Sequence, residues 1–137
     1  GVQTCALPIS RVHLLGQVGR SELPGLLAQC DMFVQPSIGE EAFGISVVEA
    51  MAMGLPILAS NNGGLPEIVI ENETGYLLPP GDVATWGGAI SRYVLNAALR
   101  RTHGGAGRLR AERFFSWEAN ARHHLKLLGE AEPCAAS

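Results

Sequence analysis

Residues 31–60 read Asp31-Met-Phe-Val-Gln-Pro-Ser-Ile-Gly-Glu-Glu-Ala-Phe-Gly-Ile-Ser-Val-Val-Glu-Ala-Met-Ala-Met-Gly-Leu-Pro-Ile-Leu-Ala-Ser60, and four local patterns follow one another in them. Residues 31–35 are a short, mainly apolar run closed by Pro36-Ser37, which suits a buried strand. Residues 38–44 are a polar, glycine-containing loop. Residues 45–53 form a helix that Gly54 ends in a left-handed-tolerant position and Pro56 prevents from continuing. Residues 55–60 are a second apolar strand. Strand, loop, helix and strand in so short a space make one βαβ crossover, which forces the two strands to run parallel.

The same alternation extends on both sides. Arg11-Val-His-Leu-Leu is a strand pattern stopped by Gly16, and Ser21 is placed to cap a helix over 22–30 with Leu23, Leu26 and Leu27 on one face. After Asn61-Asn-Gly-Gly come a short helix over 65–69, a turn over 71–75 and a strand over 76–78. Asp82 is placed to cap a helix running to about Ala98, and further helices are predicted near 99–114 and 116–128. The pattern predicts an α/β fold, a Rossmann-like parallel sheet flanked by helices, with helices at the C-terminal end. In such sheets ligands sit outside the carboxyl ends of the strands. Those ends are Gly16-Gln17, residues 36–44 and residues 60–64, so three loops are expected to converge on one crevice.

Composition agrees with one compact domain. The chain has 137 residues, 47% hydrophobic and 17% charged, with a formal net charge of −3, too apolar and too weakly charged for a disordered polymer. Arg, Glu, Asp or Gly-Pro interrupts each apolar run before the roughly 18 residues of a membrane span. Three cysteines, Cys5, Cys30 and Cys134, lack the spacing of a disulfide framework or zinc site, and His13, His103, His123 and His124 lack the i, i+4 spacing of a helical metal site. No metal is assigned. Residues 1–10 are expected to be a non-native leader, because Gly-Val-Gln-Thr-Cys-Ala-Leu-Pro-Ile reads as a translated library adapter and has neither the Met nor the basic start of a signal peptide. The same codons in an unbroken longer frame of an intact gene would contradict that reading. Residues 11–128 are the predicted domain and 129–137 a frayed tail.

The chemistry concentrates around the helix over 45–53. It is apolar nearly all round, and its polar side chains, Ser46 and Glu49, are three residues apart and so expected on one face. A carboxylate in a mostly buried helix costs several kcal/mol unless it is paired, so Glu49 needs a partner, either a ligand hydroxyl or an arginine. Glu41 stands eight residues earlier. Gly44 permits close approach of a ligand to the backbone, and the N–H groups of Gly44, Ile45, Ser46 and Val47 offer the anion site of a helix N-terminus. Carboxylates for hydroxyls beside amides for a phosphate suit a nucleotide sugar. A capped core helix with no ligand is the competing reading.

These residues resemble a known family. Pro36-Ser37, Glu41-Ala-Phe-Gly44, Glu49-Ala-Met-Ala-Met-Gly-Leu-Pro-Ile-Leu-Ala-Ser60 and Gly63-Gly-Leu-Pro-Glu-Ile-Val69 follow the order found in the donor-binding half of group 1, or family 4, retaining glycosyltransferases. Val12-His-Leu-Leu-Gly16, Gly75-Tyr-Leu-Leu-Pro-Pro-Gly-Asp82 and Phe115-Ser-Trp117 fall in the same order. The E-x7-E pattern is met by Glu41 and Glu49. The resemblance implies the C-terminal half of a GT-B fold and transfer of a hexosyl group from a nucleoside-diphosphate sugar, such as a UDP- or GDP-sugar, with retention. It implies that Glu41, the catalytic candidate, bonds hydroxyls of the donor sugar and that Glu49 binds the ribose hydroxyls. Amides at Phe43, Gly44 and Ile45 would face sugar and diphosphate, Ser46 and Val47 would add phosphate contacts, and the loop at Gly16, Gln17 and Val18 would meet the base. Gly63 and Gly64 would border the crevice. The donor is a substrate, and no cofactor is implied.

Two pieces of the family pattern are missing from this sequence. They are the N-terminal acceptor-binding domain and the segment whose Arg and Lys clamp the diphosphate. Arg11 and Arg20 are the only bases before residue 91, and neither stands in a pattern that replaces the clamp. Catalysis is therefore expected of the parent enzyme and not of this stretch alone, and the sheet is expected to have an open edge prone to self-association. Residues 1–90 carry two bases and nine acids, and residues 91–137 carry eight bases and four acids, giving −7 and +4. The basic end is read as solvated helix faces beside an acidic half, with no nucleic acid as partner, since few aromatics interleave with the arginines. A cytoplasmic location is expected, with peripheral membrane contact of the parent left open for a lipid acceptor; oligomeric state is left open too. A GT-B-fold sugar-nucleotide epimerase and a noncatalytic Rossmann-like module are the alternatives.

Overall fold

The computed structural model describes residues 12–130; the leader through residue 10 and most of the tail lie outside them. Its elements in chain order are α1 (Leu23–Leu27), β1 (Phe33–Gln35), α2 (Ile45–Ala52), β2 (Ile57–Ser60), α3 (Leu65–Ile68), β3 (Gly75–Leu78), α4 (Val83–Leu95), α5 (Ala97–Phe114) and α6 (Trp117–Glu130). The strands form a parallel sheet in the order β1-β2-β3, with Phe33 opposite Ile57 and Leu58 opposite Tyr76. The expected parallel α/β architecture, with helices at the C-terminal end, is the one observed.

The central strand β2 is buried along its whole length, as a strand covered on both faces must be. Ile57 and Ala59 pack with Val47, Ala50 and Met51 of α2, with Leu65 and Ile68 of α3 and with Ala111 of α5. Leu58 points to the other face, into a cluster of Tyr76, Leu78, Trp86 and Tyr93. The sheet thus separates an aliphatic layer under α2 from an aromatic layer under α4. Fully burying each of these large apolar side chains contributes about 1.5–3 kcal/mol.

Three expectations are corrected. Val12, His13, Leu14 and Leu15 form no strand, and Leu14 is 95% exposed. An apolar run becomes a strand only where a neighbouring strand takes its N–H and C=O groups, and none among the described residues does so. Ser21 caps nothing; α1 begins two residues later, and the Glu22 carboxylate accepts the Gly19 N–H. The helix begun at Asp82 stops at Leu95, because Asn96 leaves the helical region and its side-chain oxygen accepts the Leu99 N–H to open α5. Such a cap is worth about 1 kcal/mol. Asp82 does cap α4 as expected, accepting from the Thr85 N–H and hydroxyl.

Candidate functional site

The site is built at the carboxyl ends of β1 and β2. The loop after β1 lies against the loop after β2, and the fit is close. Gly64 N–H donates to the Glu41 carbonyl at 2.8 Å, and the Asn62 amide donates to the carbonyls of Ser37 and Gly39 at 3.1 and 3.0 Å. A Cβ on Gly63 would overlap the Glu41 carbonyl oxygen, and one on Gly64 would lie 2.6 Å from the Ala42 oxygen. Gly63 also has φ +53°, a conformation that favours glycine. The glycine pair is therefore the seat on which the Glu41 backbone rests.

Gly44 opens α2 in the left-handed region, φ 85°, with no side chain capping the helix. The N–H groups of Gly44, Ile45 and Ser46 have no hydrogen-bond acceptor among the described residues, whereas Val47 N–H is taken by the Gly44 carbonyl at 3.0 Å. Val47 is also fully buried. Its expected place among the free amides is corrected on that ground: the tight first turn consumes its proton. The remaining open amides carry the positive end of the helix dipole.

Ile45, one of the three residues with an open amide, also lines a cavity of about 610 Å³ together with Arg20, Phe43, Val48, Glu49, Phe115, Trp117 and Asn120; Gly44 and Ser46 do not line it. Ile45, Val48 and Glu49 are one face of α2. Ser46 is not on it: its hydroxyl donates to the Gln35 side chain at 3.4 Å, so Ser46 and Glu49 do not share the face expected of them. At about 100° per residue Ser46 stands about 100° from Ile45 and about 160° from Val48, so although only about 60° from Glu49 it falls at the edge of that face, towards β1. Glu49 is half-buried, and its carboxylate has no hydrogen bond or ion pair among the described residues. The partner that its burial calls for is not another side chain of this stretch.

Glu41 is half-buried and likewise without a side-chain partner, but it does not line the 610 Å³ cavity. Gly16 and Gln17 are exposed and also do not line it. Phe43 forms the shared wall with Phe115, the rings packed edge to face at 6.0 Å, an arrangement that contributes about 0.5–1.5 kcal/mol beyond burial. Arg110 fixes that wall from behind, donating to the carbonyls of Glu67 and Ile68 at 2.7 Å while lying over the Phe114 and Phe115 rings.

Sequence reading missed Arg20, Phe115, Trp117 and Asn120 as neighbours of Glu49. Arg20 belongs to the turn before α1, and the other three to the α5–α6 junction, and no local period links positions so far apart. It also missed Ser60 Oγ and Asn62 Oδ1, which are buried without hydrogen-bond partners beside the loop pair. Among the described residues no group of three or more His, Cys, Asp or Glu is placed to hold a metal, and no helix is long and apolar enough to cross a membrane.

Comparison with known proteins gives this geometry a family. The model for glycosyl transferases group 1 matches residues 6–110. The phosphatidyl-myo-inositol mannosyltransferase of Mycobacterium leprae is 32% identical over 119 residues, which cover 87% of this chain and 32% of that protein. Among solved structures, the sucrose-phosphate synthase of Thermosynechococcus elongatus superposes with a TM-score of 0.81 at 39% identity, over 88% of this chain and 30% of that one. Anabaena HepE, solved in complex with UDP and glucose, gives a TM-score of 0.81 at 27% identity, over 88% of this chain and 32% of its own. The chain thus spans about a third of the length of these relatives. Its sheet and helices are those of the C-terminal half of the GT-B fold, and the chain belongs to the group 1 glycosyltransferases.

Proposed function

We propose that this chain is the donor-binding part of a retaining hexosyltransferase that uses a nucleoside-diphosphate sugar. The observation that carries the reading is the half-buried Glu49 carboxylate, without a hydrogen bond or ion pair among the described residues, on a cavity that Ile45 of the open amide end of α2 also lines. Glu49 accepts hydrogen bonds from the ribose hydroxyls, which repay the desolvation of its charge. The open amides at Gly44, Ile45 and Ser46, with Phe43 beside them, receive the diphosphate. Glu41, held by Gly64 at the rim, bonds hydroxyls of the donor sugar, and Gly16 and Gln17 meet the base. HepE, with UDP and glucose bound, is a relative of this fold whose ligand has the matching chemistry. The acceptor belongs to the two thirds of the parent that this chain does not span, and sugar transfer is an activity of the whole protein. The epimerase and the noncatalytic module draw no support from relatives that are transferases and synthases.

Titration calorimetry of the chain with UDP-glucose and GDP-mannose tests the reading. Glu49→Ala is expected to weaken the preferred donor roughly ten- to a hundred-fold, the value of hydrogen bonds to a charged group. Equal affinities for the two proteins would remove the ribose role from Glu49.

A further inference from the structure

Arg20 is the one basic residue among those lining the cavity that holds Glu49, and it shares that cavity with Phe43 and Ile45 at the start of α2. It is exposed and makes no hydrogen bond or ion pair among the described residues. Arg100 is engaged with Asp31 and the carbonyls of Tyr93 and Val94, Arg108 with Glu112, and Arg110 with the Glu67 and Ile68 carbonyls; Arg101 and Arg122 are as free as Arg20 among the described residues but do not line this cavity. Local backbone shape also favours its position. The carbonyl of Gly19 accepts from Glu22 and Leu23 N–H, and Gly19 N–H donates to the Glu22 carboxylate, so the turn bearing Arg20 is tied to the start of α1. Glu22 is bonded to this turn through one carboxylate oxygen and makes no ion pair with Arg20.

We infer that Arg20 contacts the donor's diphosphate, facing the amides of α2 across the cavity. The inference rests on the donor-binding reading and adds a residue to it. Helix amides alone meet an anion with partial charges. A guanidinium supplies a full charge and a planar pair of donors matched to phosphate oxygens. Arg20 can serve this role although its sequence context carries no phosphate motif, because the approach is made in space, from the α1 turn onto α2.

The test compares the chain with Arg20→Ala, Arg20→Lys and Glu49→Ala by calorimetry, using UDP and GDP with uridine and guanosine as diphosphate-free probes. Arg20→Ala is expected to weaken the bound nucleoside diphosphate roughly ten- to a hundred-fold and the matching nucleoside less than about two-fold. Arg20→Lys is expected to recover part of the loss, and the dependence of affinity on salt is expected to flatten in Arg20→Ala as a charge contact is removed. An equal loss for nucleoside and diphosphate would place Arg20 on the base or ribose and overturn the inference, as would no loss at all. Unchanged melting temperatures of the variants separate these results from misfolding. If Glu49→Ala loses affinity while Arg20→Ala does not, the diphosphate role fails and the donor-binding reading stands. If the unmodified chain binds none of the four probes, both fail.

Discussion

The fold leaves the carboxylates of Glu41 and Glu49 without a hydrogen bond or ion pair among the described residues, while Ser46, the other polar side chain of α2, is bonded to Gln35. The spacing of the two glutamates was legible because loop and helix chemistry around Gly44 is local. Arg20 and Trp117 were not legible as neighbours of Glu49, because each reaches the cavity through the docking of a distant element. Gly63 lies between these cases: the glycine pair is visible in sequence, but its cause, the Glu41 backbone packed against it, is tertiary. Gly63→Ala combines positive-φ strain with a backbone clash, and is expected to cost about 2 kcal/mol or more in urea denaturation. Gly87→Ala is the control. Gly87 is exposed in α4 with nothing within 4 Å of an added Cβ, so the substitution is expected to stabilise by roughly 0.5–1 kcal/mol. Similar costs at the two positions would mean that Gly63 is an ordinary turn glycine.

At the scale of elements, helix existence was legible and helix boundaries were less so. No glycine or proline marks the break between α4 and α5; Asn96 makes it by capping, and a buried pair locks it. Tyr93 near the end of α4 is fully buried and meets His103 of α5, 4% exposed, with the phenol oxygen 2.7 Å from Nδ1. With the phenol donating, the imidazole is neutral and accepts at Nδ1. Tyr76 of β3 packs edge-on against the imidazole, Arg92 lies over the Tyr76 ring, and Glu71 and the Asn72 backbone complete the surroundings. Burial first, then the charge of Arg92, hold the His103 pKa below its ordinary 6.5, against the weaker pull of Glu71 and Asn72. Above pH 6.5 neither folded nor unfolded chain carries the proton and this contribution to stability is complete. As pH falls below 6.5 the unfolded chain takes the proton first, so stability declines until the lower folded-state pKa is reached. Urea midpoints between pH 7.5 and about 5, above the ordinary carboxylate range, are expected to fall in the native chain and to stay flatter in His103→Gln. Parallel slopes would show that the α4–α5 junction does not sense pH through this residue.

For the whole molecule, the basic and acidic halves of the sequence meet at an ion pair and at a set of carbonyls. The basic α5 lies against the acidic half, with Arg100 bridging to Asp31 at 3.2 Å and Arg110 closing the carbonyl end of α3. Apolar surface is less well matched. β1 pairs with β2 on one side, and no other strand among the described residues pairs with it. Near that edge Val34, Pro36, Ile38, Val83, Trp86 and Ile90 line an apolar cavity of about 360 Å³, and Leu14 and Ile38 are largely exposed. Unpaired backbone beside apolar side chains is the surface through which sheets associate. The strand misread at 12–15 and the open edge of β1 have the same physical origin, since each has strand character and lacks a partner. The chain alone is therefore expected to self-associate as its concentration rises, seen as an increasing weight-average mass in sedimentation equilibrium. Leu14→Lys with Ile38→Lys replaces exposed apolar groups by charges at little cost to the core, and is expected to return the mass towards 14.5 kDa without lowering the melting temperature. Association undiminished in that double variant would place the contact elsewhere, with the exposed Trp117, Leu125 and Leu128 of α6 the next surface to alter.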